Sequence, residues 1–277
     1  VSVASGKDVS LTDVDSLTLG SVAVSGNLST EARAGDLTLS GDVTSSSSSP
    51  ATATFKATNN VIQSSGTSIS SSNSNKLNVV FWSDSDASTG GAIKVDGSIT
   101  TKGGNLTMAG GADNGSNGGT NSDGIPDGNA AGNATYAIGV NLSNSTSSIS
   151  TGRGSMLLRG IGATGVPGVS AGGQGVSVYA NLGTDGGSFT ATGSASDAYG
   201  LFFGTTGKLA TAAGQVTITG TSSSSMGVMF QGNGTNGTDT ITTTTGSISV
   251  TGSGGVATWG GIYVEHARLL SASGAIS

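Results

Sequence analysis

The chain has 277 residues, of which only 9% are charged and 4% aromatic, a composition that argues against a compact enzyme of this length. Its net charge of −6 and pI near 4.5 provide no basic face for nucleic acid or an anionic membrane. The lack of Cys removes a disulfide framework and a Cys-based zinc site. Despite 49 Gly, 34% of the residues are hydrophobic and recur in ordered places, which argues against a disordered linker.

In chain order, residues 1–44 carry a short repeat. LTLGSVAVSGNLSTEARAGDLTLSG runs from Leu17 to Gly41 and brings Leu19 into step with Leu39. The run SSSSSP, Ser45 to Pro50, reads as a surface loop. From 45 to 277 the repeat lengthens. ITTKGGNLTMAGG from Ile99 is followed by ISTGRGSMLLRG from Ile149 and LGTDGGSFTATG from Leu182. LATAAGQVTITG from Leu209, ITTTTGSISVTG from Ile241 and LLSASGAIS from Leu269 complete the series. A second pattern, Gly then an apolar alternation, takes turns with the first: AIGVNLS, QGVSVYA, YGLFFG, MGVMFQG and GGIYVE. Residues 111–134, GADNGSNGGTNSDGIPDGNAAGNA, form the main insertion.

Each segment reads as a short strand with period-2 alternation; Val216 and Ile218 face in, Thr217 and Thr219 out. Gly at the corners is expected to supply positive φ. Regular spacing without helical periodicity predicts an all-β right-handed parallel β-helix of roughly ten coils with loop insertions. At about 4.8 Å per coil the rod is about 50 Å long. A narrow interior is expected to leave little room for aromatic rings. Both ends read as interrupted repeats, so a single β-helical segment of a longer chain is expected.

LTLGSVAVSGNLSTEARAGDLTLSG resembles the haemagglutinin-type repeats of filamentous-haemagglutinin-like adhesins. NVVFWSDSDASTGGAIKVDGSITTKGGNLTMAGG, Asn78 to Gly111, is similar to a segment common in these large secreted proteins. The resemblance implies two-partner secretion through an outer-membrane pore and an extracellular, cell-surface location. It also implies a β-helical shaft that attaches to host cells, other bacteria or extracellular polysaccharide. No binding residue carries over, because the repeats are scaffold. The expected function is therefore structural and adhesive, not enzymatic. The alternatives are a self-assembling extracellular filament or sheath with end-to-end contacts, and a polysaccharide-binding or -cleaving β-helix.

Candidate sites are few. The sole histidine, His266, lacks a nucleophile and partner in sequence and reads as a surface residue at a corner. Asp84 and Asp86, like Asp13 and Asp15, would share one strand face, but no cation lies nearby to tune them for glycosidase chemistry. Asp123 and Asp127 in NSDGIPDGN suggest a calcium loop, although the dense spacing of acidic calcium loops is missing. No other cofactor is expected. Tyr136, Tyr179, Tyr199, Trp259 and Tyr263 sit in or beside the Gly-containing strands. If they alternate outward they form a ladder for stacking on sugar rings, with Tyr179, Tyr199, Trp259 and Tyr263 as its members. Of the adjacent Phe202 and Phe203, one is expected to point out. Threonine runs suggest an ice-binding array, but the T-x-T ranks read as unrepeated at any one coil position.

Overall fold

The computed structural model describes residues 1–88, 90–116, 119–165, 173–234, 238–255 and 260–277. Among these residues there is no α-helix, and the strands pair in parallel in three sheets. Face A begins with Val3–Gly6, face B with Val9–Asp13 and face C with Leu17–Leu19; each then takes every third strand along the chain, apart from the short Ala130–Ala131, which pairs with Met156–Ile161 off this path. The chain is a parallel β-helix. Nine coils place a strand on each face, and Ala267–Ser271 begins a tenth on face A. The stack is about 45 Å long at 4.8 Å per coil.

Alternation produces the core. In Val216–Ser222, Val216 and Ile218 are fully buried and Thr217 and Thr219 line the outer face. Leu19 pairs with Leu39, and the coil lengthens from 19 residues between Asp8 and Asn27 to 50 between Asn105 and Ser155. The interior accepts aromatics more readily than the composition suggests. Phe55, Phe81, Phe189, Phe203 and Phe230 are all fully buried. Phe55 meets Phe81 at a tilt with ring centres 5.3 Å apart, and Phe203 stacks on Phe230 at 5.5 Å. Alanines provide the room: Phe55 sits between buried Ala53 and Ala57, and Phe189 beside Ala191.

The corner glycines divide between two purposes: Gly66, Gly103 and Gly152 have the expected positive φ, and the columns that follow meet a different need. In the T-x-x-G turns that link faces A and B, Gly154, Gly187, Gly214, Gly246 and Gly274 lie in one column. A Cβ on any of them would collide with the carbonyl of the column glycine one coil below. At the B-to-C corner, Gly160, Gly193, Gly220 and Gly252 pair in register. Each would strike the carbonyl of the glycine that opens the next face C strand: Gly175, Gly200, Gly227 or Gly261. None of these glycines is among the positive-φ residues. They are needed because two backbones touch.

Polar side chains stitch the corners axially. Before face B, Asp8 Oδ1 accepts from Asn27 N, Asn27 Oδ1 from Thr52 N, Asn78 Oδ1 from Asn105 N, and Asn105 Oδ1 from Ser155 N, all at 2.8–2.9 Å. Before face C, Ser16 accepts from Asp36 N, Asp36 from Asn60 N, and Asn60 from Ala92 N. Before face A, Asp42 and Ser98 do the same for Ser68 and Ser148. Each side chain supplies the backbone of the next coil with an acceptor where the strand ladder lapses.

Candidate functional site

Face C carries the chemistry. The middle residues of its last strands pair in register as Ser177, Phe202, Met229 and Tyr263, on the side of the sheet away from the main core. Phe203 and Phe230, one position on, point into the core, so the adjacent phenylalanines divide between the two sides. Phe202, Met226 and Met229 are buried in a cluster of their own, with Tyr179, Tyr199 and Tyr263 packed half-buried around it. Tyr199 stacks on Phe202 at 5.4 Å and 28°, and Tyr179 meets the same ring edge-on at 5.7 Å. Tyr179 is held from behind by Gly204, where any side chain would enter its ring. Burial pushes the Tyr179 hydroxyl above the usual tyrosine range.

A cleft of about 370 Å³ opens beside this cluster. Tyr199, Tyr263, Met226 and Met229 form its apolar lining, and Gln231 and Glu265 lie at its polar end. Gln231 Nε2 donates to Glu265 Oε2 at 3.2 Å. Of the four residues expected to form a sugar-stacking ladder, Tyr179, Tyr199 and Tyr263 thus come together; Trp259 lies outside the described residues. They form a cluster around Phe202 rather than a single file. Sequence reasoning missed Met226, Met229, Gln231 and Glu265. The available signal was the second and fourth residues of the Gly-apolar strands, which place Met229, Gln231 and Glu265 on the outward side; Met226, ahead of its Gly, carried no such signal.

The insertion forms a second feature. Trp82 Nε1 donates to Gly111 O at 2.7 Å where the chain leaves face B. Asp127, almost fully buried, accepts from Asn114 N at 2.9 Å and Gly115 N at 2.6 Å, while Arg159 Nη1 donates to its carbonyl at 2.9 Å. Asp123 accepts from Ile125 N at 2.9 Å, and Asp113 from Gly124 N at 2.8 Å. Asp123 and Asp127, named above for calcium, therefore spend acceptor capacity on loop backbone. Among the described residues no group of three or more His, Cys, Asp or Glu converges on a metal position. The loop roofs a groove of about 270 Å³ over Thr52, Thr54, Asn78, Val80 and Thr107, with Asp123 and Ile125 as its lid.

Asp84 is a turn residue. Its φ is 49°, and its Oδ1 accepts from Ser88 N and Gly90 N at 3.2 Å each. Burial raises its pKa, and the backbone hydrogen bonds only partly offset this. Asp86 instead accepts from Ser88 Oγ. Asp13 Oδ1 accepts from Asp15 N. His266 is exposed at a corner with φ 50°. On face B the threonines do repeat in rank, contrary to the sequence reading. Thr190, Thr217 and Ser249 are in register, as are Thr192, Thr219 and Thr251. Loop lengths of different size hide this alignment until the coils are stacked.

The fold and surface define a parallel β-helix with one aromatic–methionine cluster on an outer face. No family model, curated protein or solved structure matches the chain.

Proposed function

We propose that this chain is a stiff shaft segment of an extracellular adhesin, secreted through an outer-membrane pore and presented at the cell surface. Its partners on this reading are a host or bacterial surface or an extracellular polysaccharide, and it performs no catalysis. One observation carries the reading: a single apolar core runs through all nine coils, laced at the corners by polar side chains. Such a rod bears load along its axis through strand hydrogen bonds and spaces whatever it carries from the cell. The resemblance of Leu17–Gly41 to haemagglutinin-type repeats, and of Asn78–Gly111 to a segment common in large secreted adhesins of that group, supports secretion and adhesion.

The test is immunogold electron microscopy of the producing cells with antibodies raised to this chain. Label on thin surface fibres of fixed length is the expected result. Label confined to the cell interior would overturn the reading. Filaments of unlimited length with a short axial repeat would replace it with a self-assembling filament.

A further inference from the structure

We propose that the face C cleft between Tyr199 and Tyr263 binds a neutral hexose polysaccharide. The inference rests on the adhesive reading above and names its ligand class. A pyranose ring presents an apolar C–H face and a rim of hydroxyls. It therefore wants an aromatic or thioether platform with hydrogen-bonding groups at the edge. The cleft offers that combination: Tyr199, Tyr263, Met226 and Met229 as platform, Gln231 and Glu265 at the edge. The Gln231–Glu265 pair leaves the Gln231 carbonyl oxygen and the other Glu265 carboxylate oxygen to accept from adjacent sugar hydroxyls.

Charge narrows the class further. No Lys or Arg is among the residues lining the cleft, and Glu265 places a carboxylate in it. Uronate and sialic acid polymers would meet repulsion without a compensating cation. The axial geometry favours a polymer over a single sugar. Outward side chains recur at about 4.8 Å from coil to coil, close to the advance of one ring along an extended β-linked chain. Phe202 lies beneath Tyr199 and supports it, while Tyr199 stands beside and Tyr263 within face C strands two coils apart and both line the cleft, so the platform spans more than one ring along the axis. The platform is also set in advance. Phe202, Met226 and Met229 are 4–6% exposed, so little ordering is required on binding.

Calorimetry with β-linked glucose, galactose and mannose hexasaccharides tests the proposal on the purified chain. At least one neutral hexasaccharide is expected to bind. The Tyr199→Ala/Tyr263→Ala double variant is expected to weaken that binding roughly tenfold or more. Tyr136→Ala, outside the cluster, leaves it unchanged. Glu265→Gln is expected to weaken the neutral ligand, because it removes a charged acceptor at the cleft edge, and to relax the exclusion of a polyuronate. Circular dichroism and a melting curve establish that each variant is folded, since neither tyrosine belongs to the main core. A folded wild type that binds none of the hexasaccharides, or a double variant that binds as well as wild type, overturns the proposal. Surface fibres that still label with antibody would then leave the shaft reading standing, whereas absent label strikes at that reading itself.

Discussion

At the scale of single residues, the glycines separate two physical roles that the sequence cannot distinguish. Gly187 and Gly220 have ordinary φ but no space, because a Cβ would enter the carbonyl of Gly154 or Gly227. Gly187→Ala or Gly220→Ala is expected to cost about 2–3 kcal/mol in urea melts, the range for forcing atoms into a packed site. Gly66 has φ 75° and nothing within 4 Å of a Cβ, so Gly66→Ala should cost about 1 kcal/mol from backbone strain alone. A clear gap between the two classes is the outcome that supports close approach as the reason for the columns.

Two carboxylates give opposite pH signatures. Partial burial acts to raise the Glu31 pKa, but hydrogen bonds and charge from Lys56 and Arg33 outweigh it, and the pKa is lowered. Glu31 thus contributes stability that is present above its unfolded pKa and lost as pH falls through the folded one. Asp84 runs the other way. Its folded state holds the proton more tightly, so its ionisation costs stability that is recovered as pH falls through its raised pKa. Asp84→Asn, which retains an acceptor for Ser88 N and Gly90 N, is expected to gain stability over wild type at neutral pH. That gain should shrink on acidification, as read from chemical denaturation at several pH values.

At the scale of elements, the corner ladders and core columns set the cost of mutation. Asn60 is buried, accepts from Ala92 N, and donates to Asp36 Oδ1 at 2.8 Å. Asn60→Ala strands Ala92 N in a buried site, while Asp36 keeps its bonds from Asn59 Nδ2 and Asn60 N, and should cost about 2–3 kcal/mol. Asn105→Ala frees only Ser155 N at an exposed corner and should cost about 1 kcal/mol or less, because water replaces the acceptor. The adjacent phenylalanines make the same contrast across one strand. Phe203→Ala opens a cavity in the core and is expected to lose about 3–5 kcal/mol by thermal or urea melts. Phe202→Ala removes the centre of the outer cluster, so it should cost less stability while loosening Tyr179 and Tyr199.

At the scale of the whole molecule, strands pair only with those of adjacent coils, and apart from the insertion, where Asn133 reaches two coils to Asn60, stability sums along the axis. Core side chains in the first and last coils lie against one neighbour instead of two; Ile262 and Val264 are 43% and 47% exposed. Amide hydrogen exchange is therefore expected to be slowest in Phe55–Ile218 and to speed up toward both ends. Uniform protection from end to end would contradict a nearest-neighbour stack.

The sequence by itself determined the strands, their inward and outward faces and the stacking of coils. Period-2 alternation and a recurring Gly are local facts, legible in a single line such as QVTITG. It also named Tyr179, Tyr199 and Tyr263, since aromatics beside Gly are conspicuous in a chain so poor in them. Only the tertiary structure decided register. Coils of 19 to 50 residues scramble the linear order of side chains that end up about 4.8 Å apart. The threonine ranks of face B, the glycine-to-carbonyl contacts and the meeting of Met226, Met229, Gln231 and Glu265 beside the tyrosines are all relations between coils. No local pattern encodes them, because the loops that separate these residues in sequence are excluded from the stack that joins them.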